Sequence, residues 1–266
     1  MAVVQRQTEI ISVSTEDKYV SLLNLNSAVN PRAAEFTPNT KHTHKIIEML
    51  NLKEKNEIMG VKGVEHKFPE EPLKKGCASI TKFEFDTSKD PLYNLRAARD
   101  TNSLIFTLYT GKYVRLHVNG ELMMSDTAME RITNYDFINN AKGRVLIAGL
   151  GVGMILEAIL QKESVTEIVV IEKYQDVIDL VHPIYQHPKL KIICADIFEY
   201  DMPKSEKFDT IYFDIWAEIC EDNLEEMKIL HMKYRKNKAS KESYVDSWMK
   251  DYLKKQRARE RRNGWW

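Results

Sequence analysis

The chain has 266 residues, and its 39 basic and 39 acidic side chains cancel to a formal net charge of zero. Apolar residues make up 43% and charged residues 29%, a globular balance that excludes wholesale disorder and collagen-like or fibrous arrays. At about 100–200 residues per domain, the length suits one large domain or a core domain with a smaller companion.

Three cysteines, Cys77, Cys194 and Cys220, are too few and too scattered for a disulfide framework or a zinc cage, which points to a reducing, cytoplasmic setting. The longest apolar run, residues 145–156, is too short to cross a bilayer, so no membrane association is expected. The first eleven residues lack the features of a secretory signal.

Residues 1–75 read as a partly helical N-terminal extension. Pro31 and Pro38 break it, and Ile46, Ile47, Met49 and Leu50 give residues 40–52 helical spacing. His42 and His44 stand two apart, which is no same-face metal spacing. Gly60, Gly63, Pro69 and Pro72 mark a loop. Residues 76–126 read as a small antiparallel β domain with strands at 78–85, 104–109 and 113–118, and this domain is the expected surface for any homo-oligomer. Asn119-Gly120 is a strong hairpin signal, because both turn positions need positive φ.

A helix opens next. Thr127 and Glu130 have the spacing of a capping box, Met129, Ile132, Phe137 and Ile138 form its apolar side, and Gly143 is placed to end it. Residues 144–148, 167–172, 190–194 and 208–214 are then short β-branched or aromatic runs. Helical patterns at 154–162 and 175–185 separate the first three. Strands alternating with helices predict an α/β fold, a doubly wound parallel sheet over residues 127–236 with its ligand crevice at the carboxyl edge.

Gly149-Leu150-Gly151-Val152-Gly153 joins the first of these strands to its helix. Glycine permits a tight turn and close ligand approach, but the spacing is GxGxG, not the dinucleotide GxGxxG. Glu172 ends the second strand, where an acid meets a ribose diol. Asp196 follows the third strand, with Ile197 beside it to pack on a ring. Asp214 closes the fourth. Either aspartate alone could instead cap a neighbouring helix.

On these residues, with Leu116-His117-Val118-Asn119-Gly120-Glu121-Leu122-Met123-Met124 and Leu146-Ile147-Ala148-Gly149, residues 113–230 resemble the class I S-adenosylmethionine-dependent methyltransferase superfamily. The resemblance is strongest to its spermidine-synthase-like (aminopropyltransferase) branch. It implies a Rossmann-like methyltransferase fold in which S-adenosylmethionine or a close derivative is the cofactor. The loop of Gly149, Leu150, Gly151 and Gly153 would hold its tail, Glu172 and Lys173 its ribose, and Asp196 and Ile197 its adenine. Asp214 would stand at the reacting centre as the catalytic residue.

The branch's polyamine-facing groups are missing. Val152 and Ala217 replace two aspartates, and Thr133 and Asn134 replace a Tyr or His and an acid. After Asp214 a helix at 223–235 stands where a complete methyltransferase sheet would add strands. Three functions therefore stay open: methyl transfer to an unidentified acceptor, aminopropyl transfer, and a non-catalytic binding or assembly role.

Residues 228–266 hold 13 Lys/Arg against 4 Asp/Glu, and the preceding residues carry the compensating acidic excess. Residues 237–266 form a basic tail in which Val245, Trp248, Met249, Tyr252 and Leu253 make an amphipathic helical stripe. The preferred reading packs this helix on the acidic body of the chain. The other reaches a nucleic acid or protein partner, with residues 257–266 holding phosphate and stacking on bases.

Overall fold

The computed structural model describes residues 57–58, 61–90, 92–94, 96–97, 108–262 and 264. The expectations for residues 40–52, His42, His44, residues 104–107 and the two terminal tryptophans lie outside the described residues.

A short antiparallel pair, β1 (Glu57–Ile58) and β2 (Val61–Lys62), precedes a four-stranded antiparallel sheet. Its order is β3 (Leu73–Lys75), β4 (Ala78–Phe85), β5 (Gly111–Val118), β6 (Glu121–Ser125). Alternation along β5 buries Val114, Leu116 and Val118 against Ala78 and Ile80 of β4. Asn119 and Gly120 turn the chain from β5 to β6 at φ 54 and 84, the two left-handed positions an Asn-Gly hairpin requires.

Of the strand expected at 104–109 only residues 108 and 109 are described, and both edges of β5 are taken by β4 and β6. β4 pairs with β5 along its whole length, from Ala78 opposite Val118 to Phe85 opposite Gly111. Leu108 exchanges two 2.8 Å hydrogen bonds with the Asn94 side chain.

The single helix expected after this sheet is two, α1 (Ala128–Thr133) and α2 (Tyr135–Asn140), divided at Asn134. The capping box does not form. Thr127 makes no side-chain cap bond and its hydroxyl accepts from that of Ser125 at 3.1 Å, while Glu130 turns inward and is 6% exposed. Gly143 does not end the helix but opens the next strand at φ 60, where a Cβ would strike the Asp209 carboxylate.

Asp126 ties these pieces together. Its fully buried carboxylate accepts the N–H groups of Val64 (2.8 Å), Glu65 (3.1 Å) and Val114 (2.8 Å), and Arg131 Nε donates to its carbonyl at 2.7 Å.

The second sheet is wholly parallel. Its strands are β7 (Gly143–Ala148), β8 (Val165–Glu172), β9 (Leu190–Cys194), β10 (Thr210–Phe213) and β11 (Tyr244–Ser247), in the order β11-β10-β7-β8-β9. That is the doubly wound, Rossmann-like order starting from a central first strand. Val145 to Ala148 of β7 are at most 1% exposed, as expected where helices cover both faces. The covering helices include α3 (Met154–Leu160), α4 (Gln175–Val181) and α5 (Asn223–Tyr234).

The expected helical stripe of the tail is divided. Val245 lies in β11, Met249 turns the chain at φ 57, and only α6 (Lys250–Arg262) is helical. The fifth strand was hidden because an edge strand of four residues is held by main-chain bonds, such as Trp248 N–H to the Phe213 carbonyl at 2.9 Å, and not by an apolar period. Three of the stripe's side chains are buried all the same, Trp248 and Leu253 at 3% exposure each and Met249 at 8%, while Val245 and Tyr252 are partly buried. Trp248 Nε1 donates to Thr133 Oγ1 at 2.9 Å. Among the described residues no helix is long and apolar enough to cross a membrane, and no cluster of His, Cys, Asp and Glu could hold a metal.

Candidate functional site

Doubly wound sheets bind ligands beyond the carboxyl ends of their strands, where the strand order reverses. Here that point lies between β7 and β10. Gly149 N–H donates to the Ile171 carbonyl at 2.9 Å on one side, and Asp214 N–H donates to the Ala148 carbonyl at 2.8 Å on the other. The glycine loop thus stands between the acid that ends β8 and the acid that follows β10.

Gly149, Gly151 and Gly153 have φ of 97, 53 and 75. A Cβ at Gly149 would collide with the Asp214 carbonyl, at Gly151 with the Met124 sulfur, and at Gly153 with the Tyr185 ring. Each glycine is therefore demanded by a neighbour within the chain. Met124, from β6, also accepts the Val152 N–H on its sulfur at 3.2 Å, so its thioether lies over Gly151.

Glu172 is 7% exposed. One carboxylate oxygen accepts the Leu150 N–H and the other the Tyr174 N–H, both at 2.9 Å. Burial pushes its carboxyl upward against these bonds. The Lys173 N–H is a further donor to this carboxylate, whose roughly four lone-pair sites are not all taken. Lys173 pairs with Asp196 at 3.0 Å, and Asp196 also accepts the Phe198 N–H at 2.8 Å. Burial works to raise the Asp196 carboxyl, but the Lys173 ammonium and the Phe198 N–H outweigh it and hold the group below its usual range. Ile197 is 4% exposed and packs into the core against the α5 side of the sheet.

Asp214 is half-buried, and loss of solvation pushes its carboxyl up to about 7 although the Asn134 side chain donates to it. Asn134 is itself fixed. Its Oδ1 accepts the Tyr212 hydroxyl at 2.9 Å, and the Tyr212 ring stacks on Phe137 with centroids 4.0 Å apart. Glu130 faces the same acid: burial first, and then the charge of Asp214, hold its carboxyl well above the usual range.

Sequence reasoning missed Glu130 by assigning it to a cap. A signal was present, because Glu130 and Asn134 are four apart and so share a helix face.

No family model matches the chain, and no curated protein matches it. Solved structures do. A spermidine synthase in complex with the transition-state analogue AdoDATO is 17% identical, with a TM-score of 0.37 over 63% of this chain and 54% of that one. The spermidine synthase from Thermotoga maritima is 18% identical, with a TM-score of 0.36 over 61% of this chain and 52% of that one. The plantazolicin methyltransferase in complex with SAH is 19% identical, with a TM-score of 0.31 over 41% of this chain and 40% of that one. The chain spans about half the length of the two spermidine synthases it matches.

Proposed function

We propose that the carboxyl edge of the parallel sheet binds S-adenosylmethionine or a close derivative, and that the chain transfers its methyl group to an acceptor that Asp214 orients and deprotonates. One observation carries the reading: the glycine loop touches Asp214, an acid whose proton leaves near neutral pH, at a single backbone contact. The donor set suits such a molecule. Glu172 has spare lone pairs for a ribose diol, and Asp196 offers an acceptor for an exocyclic amine once Lys173 yields. When bound, S-adenosylmethionine supplies an electrophilic methyl group on a sulfonium. Displacement there is mainly a matter of positioning, which leaves the protein to align the acceptor and take up its proton. Asp214 takes that proton, and Asn134 holds the carboxylate in place.

Aminopropyl transfer is the second reading. It is favoured by Glu130, which gives Asp214 the second carboxylate that Val152 and Ala217 do not supply.

Calorimetry with S-adenosylmethionine, S-adenosylhomocysteine, methylthioadenosine and NAD tests the ligand. Tight NAD binding, or no binding of the three sulfur nucleosides, would sink the proposal. Glu172→Gln is expected to weaken S-adenosylmethionine about ten- to a hundred-fold, because a charged hydrogen bond to a hydroxyl is worth about 1.5–3 kcal/mol. Met124→Ala is expected to tighten it about fivefold, since the tail no longer competes with a hydrogen bond worth about 1 kcal/mol. Labelled S-adenosylmethionine and its decarboxylated form, offered with pooled amines, nucleic acids and proteins, separate methyl from aminopropyl transfer. Binding without turnover on any of them would leave a non-catalytic protein.

A further inference from the structure

The basic excess of residues 228–266 is not spread evenly over the surface. α5 and α6 pack through Leu224, Met227 and Leu253, and beside this contact they leave a cleft of about 810 Å³. Lys250, Lys254, Arg257 and Arg261 line it from α6. They stand at i, i+4, i+7 and i+11, one stripe along the helix with a cation about every 5.4 Å, the helical pitch. Lys228 on α5 and Arg235, just past its C-terminal end, line the facing wall. Met227, Met232 and Ala258 are among the apolar part of the lining, and Met232 is 59% exposed.

The chain neutralises these charges only in part: outside the lining, Lys250 pairs with Asp246, and Arg257 with Glu221 at 3.8 Å. Glu225 is the one acidic residue of the lining. It pairs loosely with Lys228 at 3.8 Å and with Arg257 at 3.4 Å, across exposed side chains where such pairs contribute about 0–1 kcal/mol. Arg235 and Lys254 form no ion pair with any described residue. The cleft's field is felt by its own histidine. Burial, and then the charges of Lys250 and Lys254 against that of Asp246, push His231 down to about 4.

We propose that this cleft binds a single-stranded nucleic acid. Two cationic rows suit a phosphodiester backbone, and the apolar part of the lining suits bases released from a stack. An acidic peptide would also meet the rows, but it has no flat apolar faces for the methionines. The cleft shares no lining residue with the glycine loop or its acids, so the inference stands whether or not a nucleoside binds there.

The test is fluorescence anisotropy of the full chain with labelled 20-nucleotide single strands of RNA and of DNA, a matched duplex, and polyglutamate as competitor. Single strands are expected to bind, with affinity falling steeply as salt rises because neutralised phosphates release counterions. The double variant Arg235→Glu, Lys254→Glu is expected to lose at least tenfold in affinity and to flatten the salt slope by about two, one for each phosphate contact removed. Lys241→Glu with Lys255→Glu makes the same charge change outside the cleft lining and is expected to lose less than threefold. Both variants are exposed on the surface, and circular dichroism checks that they fold. Equal losses in the two variants, tighter binding of the duplex, displacement by polyglutamate at equal charge, or no binding at low salt would each overturn the proposal.

Discussion

A chain ending at Asn237 is expected to lose its cooperative unfolding transition altogether. That truncation removes β11 and α6, and with them the parallel neighbour of β10 from Thr210 to Phe213. It also removes Trp248, Met249 and Leu253, all buried. At about 1.5–3 kcal/mol for each fully buried large apolar side chain, their loss amounts to much of the 5–15 kcal/mol margin of an ordinary domain. A second truncation after Met249 keeps β11 and removes α6. It should still unfold cooperatively, at a clearly lower temperature, because only Leu253 and its contacts are lost. Thermal melts followed by circular dichroism distinguish the two. A chain ending at Asn237 that melts as late as the full-length protein would show that the tail is an appendage.

The second large effect is at Asp214, where stability and activity should move in opposite directions. Its carboxyl sits at about 7 in the folded protein, against an ordinary value of 3.8. Between about pH 4 and 7 the unfolded chain releases a proton that the folded chain keeps, so stability falls as pH rises through this window and levels off above it. Asp214→Asn removes that decline. Discounted for partial exposure, the gain at pH 8 is about 1–2 kcal/mol, or about 2–8 °C in melting temperature, and it vanishes at pH 4. Turnover, in which the proposed function has Asp214 take the acceptor's proton, should fall about a hundred- to ten-thousand-fold. A variant that keeps its turnover, or that melts earlier than the parent at pH 8, would remove Asp214 from the chemistry.

The parts of this molecule that follow a regular period were legible in the sequence. The continuous apolar runs of β7 and β8, the Asn-Gly turn and the helix after the glycine loop all stand where their spacing put them. The parts held by single polar contacts were not. Asn134 divides a helix, and β11 is fixed by main-chain bonds at a sheet edge. In the site, the strand-end positions of Glu172, Asp196 and Asp214 followed from strand ends alone. Glu130 and Met124 did not, because each reaches the site from an element whose sequence reads as structural: a helix cap and a hairpin strand.

Glu130 and Asp214 also reach one another from different layers. Asp214 is carried by the parallel sheet, whereas Glu130 sits on α1, which Asp126 and Arg131 fasten to β5 and to the segment around Val64. The gap between the two acids is therefore set by how the small sheet seats against the large one, as the bite of a pair of pliers is set by its pivot. Substitutions in β5 or around Val64 can tune the acidity of the pair without touching either member. The acid–base character of the site is thus a property of the seam between two sheets, open to adjustment from residues that line no cavity and meet no ligand.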